Sequence, residues 1–279
     1  MVTSLYRKIV NLQITALTAV NLNQKYLDCV PFFIEYWTSF ESSNKAIQYI
    51  PKVLILAEEL PQELTPYAEW CELLELDPRI SSTFGSQAVR IFQPALEVSD
   101  FVITTDVDML PLDDRVFMAG VLELVNGSEF VICRDVLADG QYPICYNIAS
   151  PKTWAMVTGV SSPTDLGKRL LTLFESVVLD DSYQGEHGGV GWFADQEAIY
   201  SMVGEFEGRG GVVTKLKDNQ TGHRRLDRFF MPFPLNWLFI GAVSRGKFTD
   251  YHVHHPVKKH HKFIKQVMRS RGKKLKSRS

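Results

Sequence analysis

The sequence is poor in the features that set a chain apart from ordinary globular proteins. Only 4 of its 279 residues are cysteine: Cys29, Cys71, Cys133 and Cys145. None forms a C-x-x-C pair and each has apolar neighbours, so buried free thiols in a reducing compartment are expected rather than a disulfide framework. No apolar run near the N-terminus approaches the ~20 residues of a membrane-spanning helix. Asn11, Gln13 and Thr15 interrupt Met1 to Val20, which is not the layout of a signal peptide. The N-x-S/T sequons at Asn126 and Asn219 then carry little weight, and a soluble cytoplasmic protein is the expectation. Internal repeats and low-complexity linkers are missing too. Charged residues make up 22% and hydrophobic ones 45%, which excludes global disorder and supplies one substantial core. Acidic residues are missing from one place in particular. Val257 to Ser279 holds ten Lys or Arg and no Asp or Glu. By difference from the net −2, the first 256 residues carry −12. An acidic body suits divalent metal binding. The basic end suits phosphate, an acidic glycan or a membrane surface, with a solvated tail as the plain expectation.

What is present alternates strand and helix. Ile9 to Val20 is rich in β-branched residues and predicts a strand, ended by Asn21 and Asn23. Tyr26 to Phe40 reads as one helix, with Pro31 in its first turns. Val53 to Ala57 and Phe101 to Thr105 are continuous apolar runs, as in buried parallel strands. Glu63 to Leu76 and Ser86 to Leu96 read as helices between them. The class is therefore α/β with an open, mostly parallel sheet. Ligands in such sheets bind beyond the carboxyl ends of the strands. The second half is less regular. Phe130 to Arg134, Ile144 to Ser150 and Thr249 to His254 read as strands, and Asp165 to Val178 and Asp195 to Val203 as helices. Gln184 to Gly191 is glycine-rich, and Phe229 to Trp237, with two prolines, is an unfavourable helix.

Three constellations carry chemistry. The first is Asp106-Val107-Asp108, directly after the apolar strand Phe101 to Thr105. Two carboxylates in so apolar a setting are costly unless neutralised. A hard divalent cation, Mn²⁺ or Mg²⁺, would do this and would accept diphosphate oxygens into its shell. An acidic turn capping the next helix is the plain alternative. The second is His252-Val-His254-His255-Pro256-Val-Lys258. His252 and His254 would share one side of a strand, and either suits a borderline metal. The third is Gly188-Gly-Val-Gly-Trp192-Phe193-Ala-Asp195-Gln196-Glu197. Its glycines allow close backbone approach, Trp192 and Phe193 can stack on a sugar face, and Asp195 or Glu197 either caps a helix or acts as a base.

Together these resemble the GT-A glycosyltransferases, particularly the glycogenin-like family 8, over Arg90 to Lys258. The resemblance implies a GT-A, Rossmann-like sheet flanked by helices. It divides residues 1-256 into a donor half of about 1-112 and an acceptor half of about 113-256, with 257-279 as a basic C-terminal segment. It implies a nucleotide-sugar diphosphate held at Asp106, Val107 and Asp108, with Arg90 touching the donor. Its pattern H-x-x-G-P-x-K-P-W-H is kept at His252, Pro256 and Lys258. That makes His252 a metal ligand and Lys258 a diphosphate contact. His255 replaces the family glycine and the tryptophan is absent, so His254 stays open as the alternative ligand. Ala16 and Thr18 lie where the family contacts the nucleobase and ribose, and Tyr26 can stack on uracil. Tyr146-Asn147 would border the sugar pocket. Trp192 and Phe193 would face the acceptor. Family 8 carries D-Q-D where this chain has Asp195-Gln196-Glu197, and retains configuration. Inverting relatives carry a base there. Asp195 is the first candidate base and Glu197 the second, while Gln196 facing the anomeric carbon would suit retention. The chain looks most like bacterial surface-polysaccharide transferases or those of large chlorella viruses, which admits UDP-xylose as the UDP-sugar donor and a glycan as acceptor. A viral protein of this kind would sit in the host cytoplasm. Two rivals stand beside it. A sugar-nucleotide pyrophosphorylase carries a glycine-rich loop and a basic residue after its first strand, and Thr15 to Asn21 has neither. A non-catalytic glycan- or nucleic-acid-binding module would use the basic end, but aromatics do not interleave it beyond Phe263.

Overall fold

Seven consecutive buried residues, Ile14 to Val20, make strand β1 (Leu12–Val20) a strand covered on both faces. In the computed structural model the described residues are 11–137, 140–177, 189, 191–228 and 236–276, the side chains of 236, 237 and 272–276 excepted. After β1 come two short helices, α1 (Gln24–Leu27) and α2 (Val30–Thr38). The sequence predicts one helix here. Pro31 has no N–H to give to a preceding turn, so it occupies the first turn of a new helix instead. Strand β2 (Ile47–Ile55) is longer than its apolar run, and its exposed Gln48 shows how far the ladder extends into polar sequence.

The expected helix Glu63 to Leu76 is a 3₁₀ segment (Gln62–Trp70) followed by strand β3 (Cys71–Leu73). Pro61 precedes the segment and Pro66 lies within it, so the i→i−4 ladder of an α-helix is broken from the start. Helix α3 (Ser82–Phe92) is capped by Ser81, whose Oγ accepts from Phe84 N–H, and a 3₁₀ turn at Pro94 ends it. Then come β4 (Phe101–Thr104), β5 (Met109–Pro111), α4 (Arg115–Val125), β6 (Phe130–Ile132) and β7 (Asn147–Ala149). Next are α5 (Pro151–Thr158), α6 (Pro163–Ser176), α7 (Ala194–Gly208), β8 (Val213–Lys215), α8 (Asp218–Thr221) and β9 (Arg225–Leu226). The chain ends with α9 (Asn236–Ser244), β10 (Asp250–His252) and α10 (Val257–Lys276). The chain beyond Pro256 is therefore not the expected solvated tail. A helix runs to Lys276, and Phe263, Ile264 and Val267 bury its apolar side in the core. The glycine-rich 184–188 and the aromatic 229–235 lie outside the described residues.

The central sheet has the order β3-β2-β1-β4-β7-β6-β8. Its pairings are parallel except where β7 runs against β4 and β6. Alternation along the strands divides the core. Ile14, Ala16 and Val20 of β1 pack with α2, α4 and α10, while Leu17 and Ala19 pack with α3, α5, α6 and α7. The result is a mixed α/β architecture with a mostly parallel sheet between two helical layers. A second sheet, β5-β10-β9, is small and lies beyond the end of β4. Among the described residues no helix is long and apolar enough to cross a membrane. All four cysteines are free, three of them buried and Cys71 half-buried.

Helix α4 rests directly on the sheet at Gly120. A Cβ there would stand 2.7 Å from Cys133 Sγ and 2.9 Å from Ile148 Cγ2. Gly120→Val is expected to cost about 1–3 kcal/mol or more through overpacking, read as a lower urea midpoint at unchanged slope.

Candidate functional site

The crossover to β2 leaves β1 on one side, and the crossover to β4 arrives on its other side. The strand order therefore reverses between β1 and β4, and the carboxyl ends of these two strands form the crevice where an open α/β sheet binds ligands. Beyond β4, Thr105 N–H still bonds to Leu17 C=O at 3.0 Å. Asp106 N–H donates instead to Cys145 Sγ at 3.1 Å, and Met109 N–H closes a turn on Asp106 C=O at 3.0 Å. That turn carries the D-x-D carboxylates out of the sheet in two directions.

Asp106 is half exposed and Asp108 is buried. The Asp106 carboxylate pairs with Arg90 through Oδ1 and accepts from the Cys145 thiol through Oδ2, the latter at 3.1 Å. Arg90 projects from the last turn of α3, and its Nη2 reaches Asp195 Oδ2 at 3.0 Å. One buried guanidinium thus joins two carboxylates from distant parts of the chain, with further bonds to the carbonyls of Gln87 (3.2 Å) and Thr105 (3.4 Å). Burial alone would lower the pKa of Arg90, but the charges of Asp106 and Asp195 outweigh it and hold the guanidinium firmly protonated. Asp195 sits in the first turn of α7, only 3% exposed. Burial pushes its carboxyl up to about 6 despite Arg90, and the Asp106 charge adds to the rise.

Asp108 collects a second set of partners. Its Oδ2 accepts from Arg228 Nη1 at 2.8 Å, and lies 3.1 Å from His255 Nε2 and 3.4 Å from His252 Nε2. Burial would raise this carboxyl, but the bonds from His252 and His255 and the Arg228 charge hold it well below the usual carboxylate range. The small sheet explains the meeting. Strand β10 runs antiparallel to β5 with His252 opposite Met109, and Val253 N–H bonds to Asp108 C=O at 2.8 Å. Strand β9 pairs with β10 and leads straight into Asp227 and Arg228. Asp227 Oδ2 then stands 3.4 Å from His252 Nδ1.

Strand β10 ends at His252, so the alternation that would put His254 beside His252 no longer applies. His254 Nδ1 meets Tyr251 Oη at 2.8 Å, and its ring lies 4.9 Å from that of His260. Burial and the neighbouring charges of His260 and Arg228 lower its pKa to about 4. His255, which replaces the family glycine, is the one that reaches Asp108. Its ring packs edge-on against Tyr26, 5.9 Å between centroids, which brings Tyr26 to this cluster. Lys258 is exposed and lies 3.6 Å from Asp28. Ala16 and Thr18 are fully buried within β1. Glu197, two residues past Asp195, faces the other side of α7, is exposed and accepts from Gln141 Nε2 at 3.3 Å. Gln196 C=O accepts from Tyr142 N–H at 3.2 Å. Trp192 and Phe193 are half-buried at the start of α7, with Gln87 Nε2 donating to Trp192 C=O at 3.4 Å. Tyr146 is buried, its hydroxyl 3.2 Å from Asp250 Oδ2, and the Asn147 amide donates to Pro143 C=O at 2.9 Å.

The sequence reading missed Cys145, Asp227, Arg228 and His255. The dense charge of Arg224-Arg225-Leu226-Asp227-Arg228 was the available signal for two of them. Among the described residues no group of three or more His, Cys, Asp or Glu is arranged to hold a metal ion. Asp108 Oδ2 and His252 Nε2 nevertheless stand 3.4 Å apart. That separation suits two ligands of one ion at about 2.0–2.2 Å each. Mg²⁺-like ions are commonly held by one or two carboxylates and completed by substrate phosphates, so the donor chemistry fits.

No family model matches the sequence, and no curated protein matches it. Among solved structures the chain is similar to the glycosyltransferase GlyE of Streptococcus pneumoniae TIGR4. To its apo form the TM-score is 0.43 at 13% identity, covering 93% of this chain and 62% of that one. To a second GlyE structure the TM-score is 0.42 at 12% identity, with coverage again 93% and 62%. The chain therefore spans less than two thirds of the length of the GlyE chains it matches.

The raised carboxyl of Asp195 bears on stability. An unfolded aspartate titrates near 3.9, so the folded state holds the Asp195 proton more tightly. The resulting stabilisation is complete below about pH 4 and is lost as pH rises through about 6. The stability of the wild type relative to Asp195→Asn should therefore decline between those values, by up to ~3 kcal/mol. Urea unfolding of both proteins across that range reads it, and a flat difference would mean that Asp195 is ionised throughout.

Proposed function

We propose that the chain is a glycosyltransferase that moves a sugar from a nucleotide diphosphate donor to a glycan hydroxyl. The observation that carries this is the pair of ion pairs that Arg90 makes, to Asp106 and to Asp195, at the β1–β4 crevice. It ties the D-x-D turn to Asp195, a buried carboxyl whose pKa is raised toward neutrality. Such shifts in a crevice mark functional groups. Arg90 and Arg228 offer planar guanidiniums that suit phosphate oxygens, and His252 and His255 add polarisable N–H groups beside them. On this reading they receive the diphosphate when it displaces part of their present carboxylate pairing, and Lys258 adds charge from the first turn of α10. Tyr26, next to His255, is the candidate platform for the base, uracil in a UDP-sugar, with UDP-xylose among the donors to try. Ala16 and Thr18 then shape the floor of that region from within β1.

A divalent cation, Mn²⁺ or Mg²⁺, would take Asp108 and His252 as ligands, with Asp106 joining them only on leaving Arg90, and would offset charge on the departing diphosphate. The position of His254 against Tyr251 favours His252 over it as ligand. We assign the proton transfer to Asp195. The acceptor hydroxyl loses its proton to the Asp195 carboxylate as its oxygen attacks the anomeric carbon opposite the diphosphate, which inverts configuration. Arg90 orients that carboxylate and must loosen for the hydroxyl to reach it. Glu197, which faces solvent, is the second choice of base, and Gln196 belongs to the retaining alternative, in which it faces the anomeric carbon. Trp192 and Phe193 border this end of α7 and are the candidate acceptor contacts.

A panel of nucleotide-sugars incubated with the protein and Mn²⁺ tests the reading through slow donor hydrolysis. Asp108→Asn should weaken metal-dependent donor binding. Asp195→Asn should spare binding and lower turnover about 10²–10⁴-fold, as loss of a general base does. In the wild type kcat/KM should rise with pH through about 6 as the base ionises. Proton NMR of the product anomer decides between inversion and retention. No donor turned over and none bound would sink the proposal. Pyrophosphate release from a nucleoside triphosphate and a sugar phosphate would replace it with a pyrophosphorylase, and glycan binding without turnover with a binding module.

A further inference from the structure

Helix α10 has two unlike sides. One is fixed to the body by Val257, Phe263, Ile264 and Val267, all in the core. Arg271, one turn further, is buried on the same side. It donates to Ser39 C=O at 2.6 Å and to the carbonyls of Tyr36 and Pro111 at 3.4 Å each. Its guanidinium also stands 5.3 Å from the Tyr36 ring and 5.0 Å from the Phe40 ring. The helix is therefore clamped at both ends of this stretch and cannot roll.

The other side is cationic. Lys258, Lys262, Lys265 and Arg269 are exposed at spacings of four, three and four, which is one straight stripe, and exposed Lys259 flanks it. The stripe runs about 16 Å at ~1.5 Å per residue. Lys258 is paired with Asp28, and none of Lys259, Lys262, Lys265 and Arg269 forms an ion pair with a described residue. No acid occurs between Val257 and Ser279, while the chain before it carries −12 by difference.

We propose that this stripe docks the protein on an anionic lipid bilayer by electrostatic contact without insertion. The apolar side of α10 is already used in the core, so nothing is left to enter the acyl layer. Four to eight clustered cations on such a helix match the charge density of an anionic leaflet. A straight row of exposed cations can face a flat leaflet together. Charge on the acidic remainder of the chain that lies farther than a screening length of about 10 Å from the leaflet is screened from it. A flexible polyanion such as single-stranded nucleic acid would extend past the stripe against the acidic remainder of the chain, which repels it. It would also find no stacking ring on the stripe, because Phe263 is buried. The proposal stands independently of the transferase reading.

Cosedimentation of the full chain with vesicles tests it. Binding is expected to phosphatidylcholine vesicles containing phosphatidylserine and not to pure phosphatidylcholine. It should disappear in about 1 M salt, where screening acts within about 3 Å. Reversing Lys262, Lys265 and Arg269 to Glu should lower partitioning at least roughly a hundredfold, given the usual contribution per basic residue. Circular dichroism and the unfolding midpoint of the variant should stay unchanged, as all three side chains are exposed. Absence of binding to anionic vesicles, equal binding by the triple variant, or binding that survives high salt would overturn the proposal. So would tighter binding to an oligonucleotide that displaces the vesicles.

Discussion

The arrangement at the end of β4 depends on how the Asp108 carboxylate is neutralised. A buried charge left unpaired costs several kcal/mol, and no strand or helix near Asp108 in sequence supplies a counter-charge. The partners come from Arg228, His252 and His255, more than a hundred residues later. To deliver them the chain must return to the mouth of the central sheet and pair there. The three-stranded sheet is that return. Its ladder sets the register of His252 against Met109, and the bond from Val253 N–H to Asp108 C=O pins the backbone as well as the side chain.

Arg90 performs the matching task on the other side of the turn. It lies in a buried position that a guanidinium tolerates only when paired, and it is paired twice. Arg90 thereby joins α3, the D-x-D turn and the start of α7 around the crevice. The two sets of contacts differ in character. Arg228 and hydrogen bonds from His252 and His255 hold Asp108 ionised, whereas burial pushes Asp195 toward protonation against Arg90 and a backbone N–H bond from Gln196. The two carboxyls, linked through the D-x-D turn and Arg90, thus carry opposite shifts.

Parts of this were legible in the sequence because they are local. The apolar runs at Val53 and Phe101 marked buried parallel strands, and the D-x-D after one of them marked the crevice. Proline misled in both directions. Pro31 split an expected helix, and Pro61 with Pro66 turned another into a 3₁₀ segment followed by a strand, because a proline inside a helix has no N–H to give to the carbonyl four residues back. The basic end looked like a solvated tail because its charge outweighs its apolar residues in composition. Their spacing, with Phe263, Ile264, Val267 and Arg271 on one side, is what makes it a docked helix.

The order of residues along the chain was enough to specify the α/β class, the acidic turn after a buried strand, and the segregation of positive charge to the last helix. These arise from hydrophobic period, strand length and composition, which the chain expresses within a few residues of each position. Three other features had to wait for the folded chain: that His255 rather than His254 faces Asp108, that Arg228 joins it, and that Asp195 and not Glu197 meets Arg90. Each of those choices turns on a register or a helix face: where β10 stops, which strand β9 pairs with, and which side of α7 is buried. Register is fixed by packing between segments far apart in the chain, so no local pattern carries it.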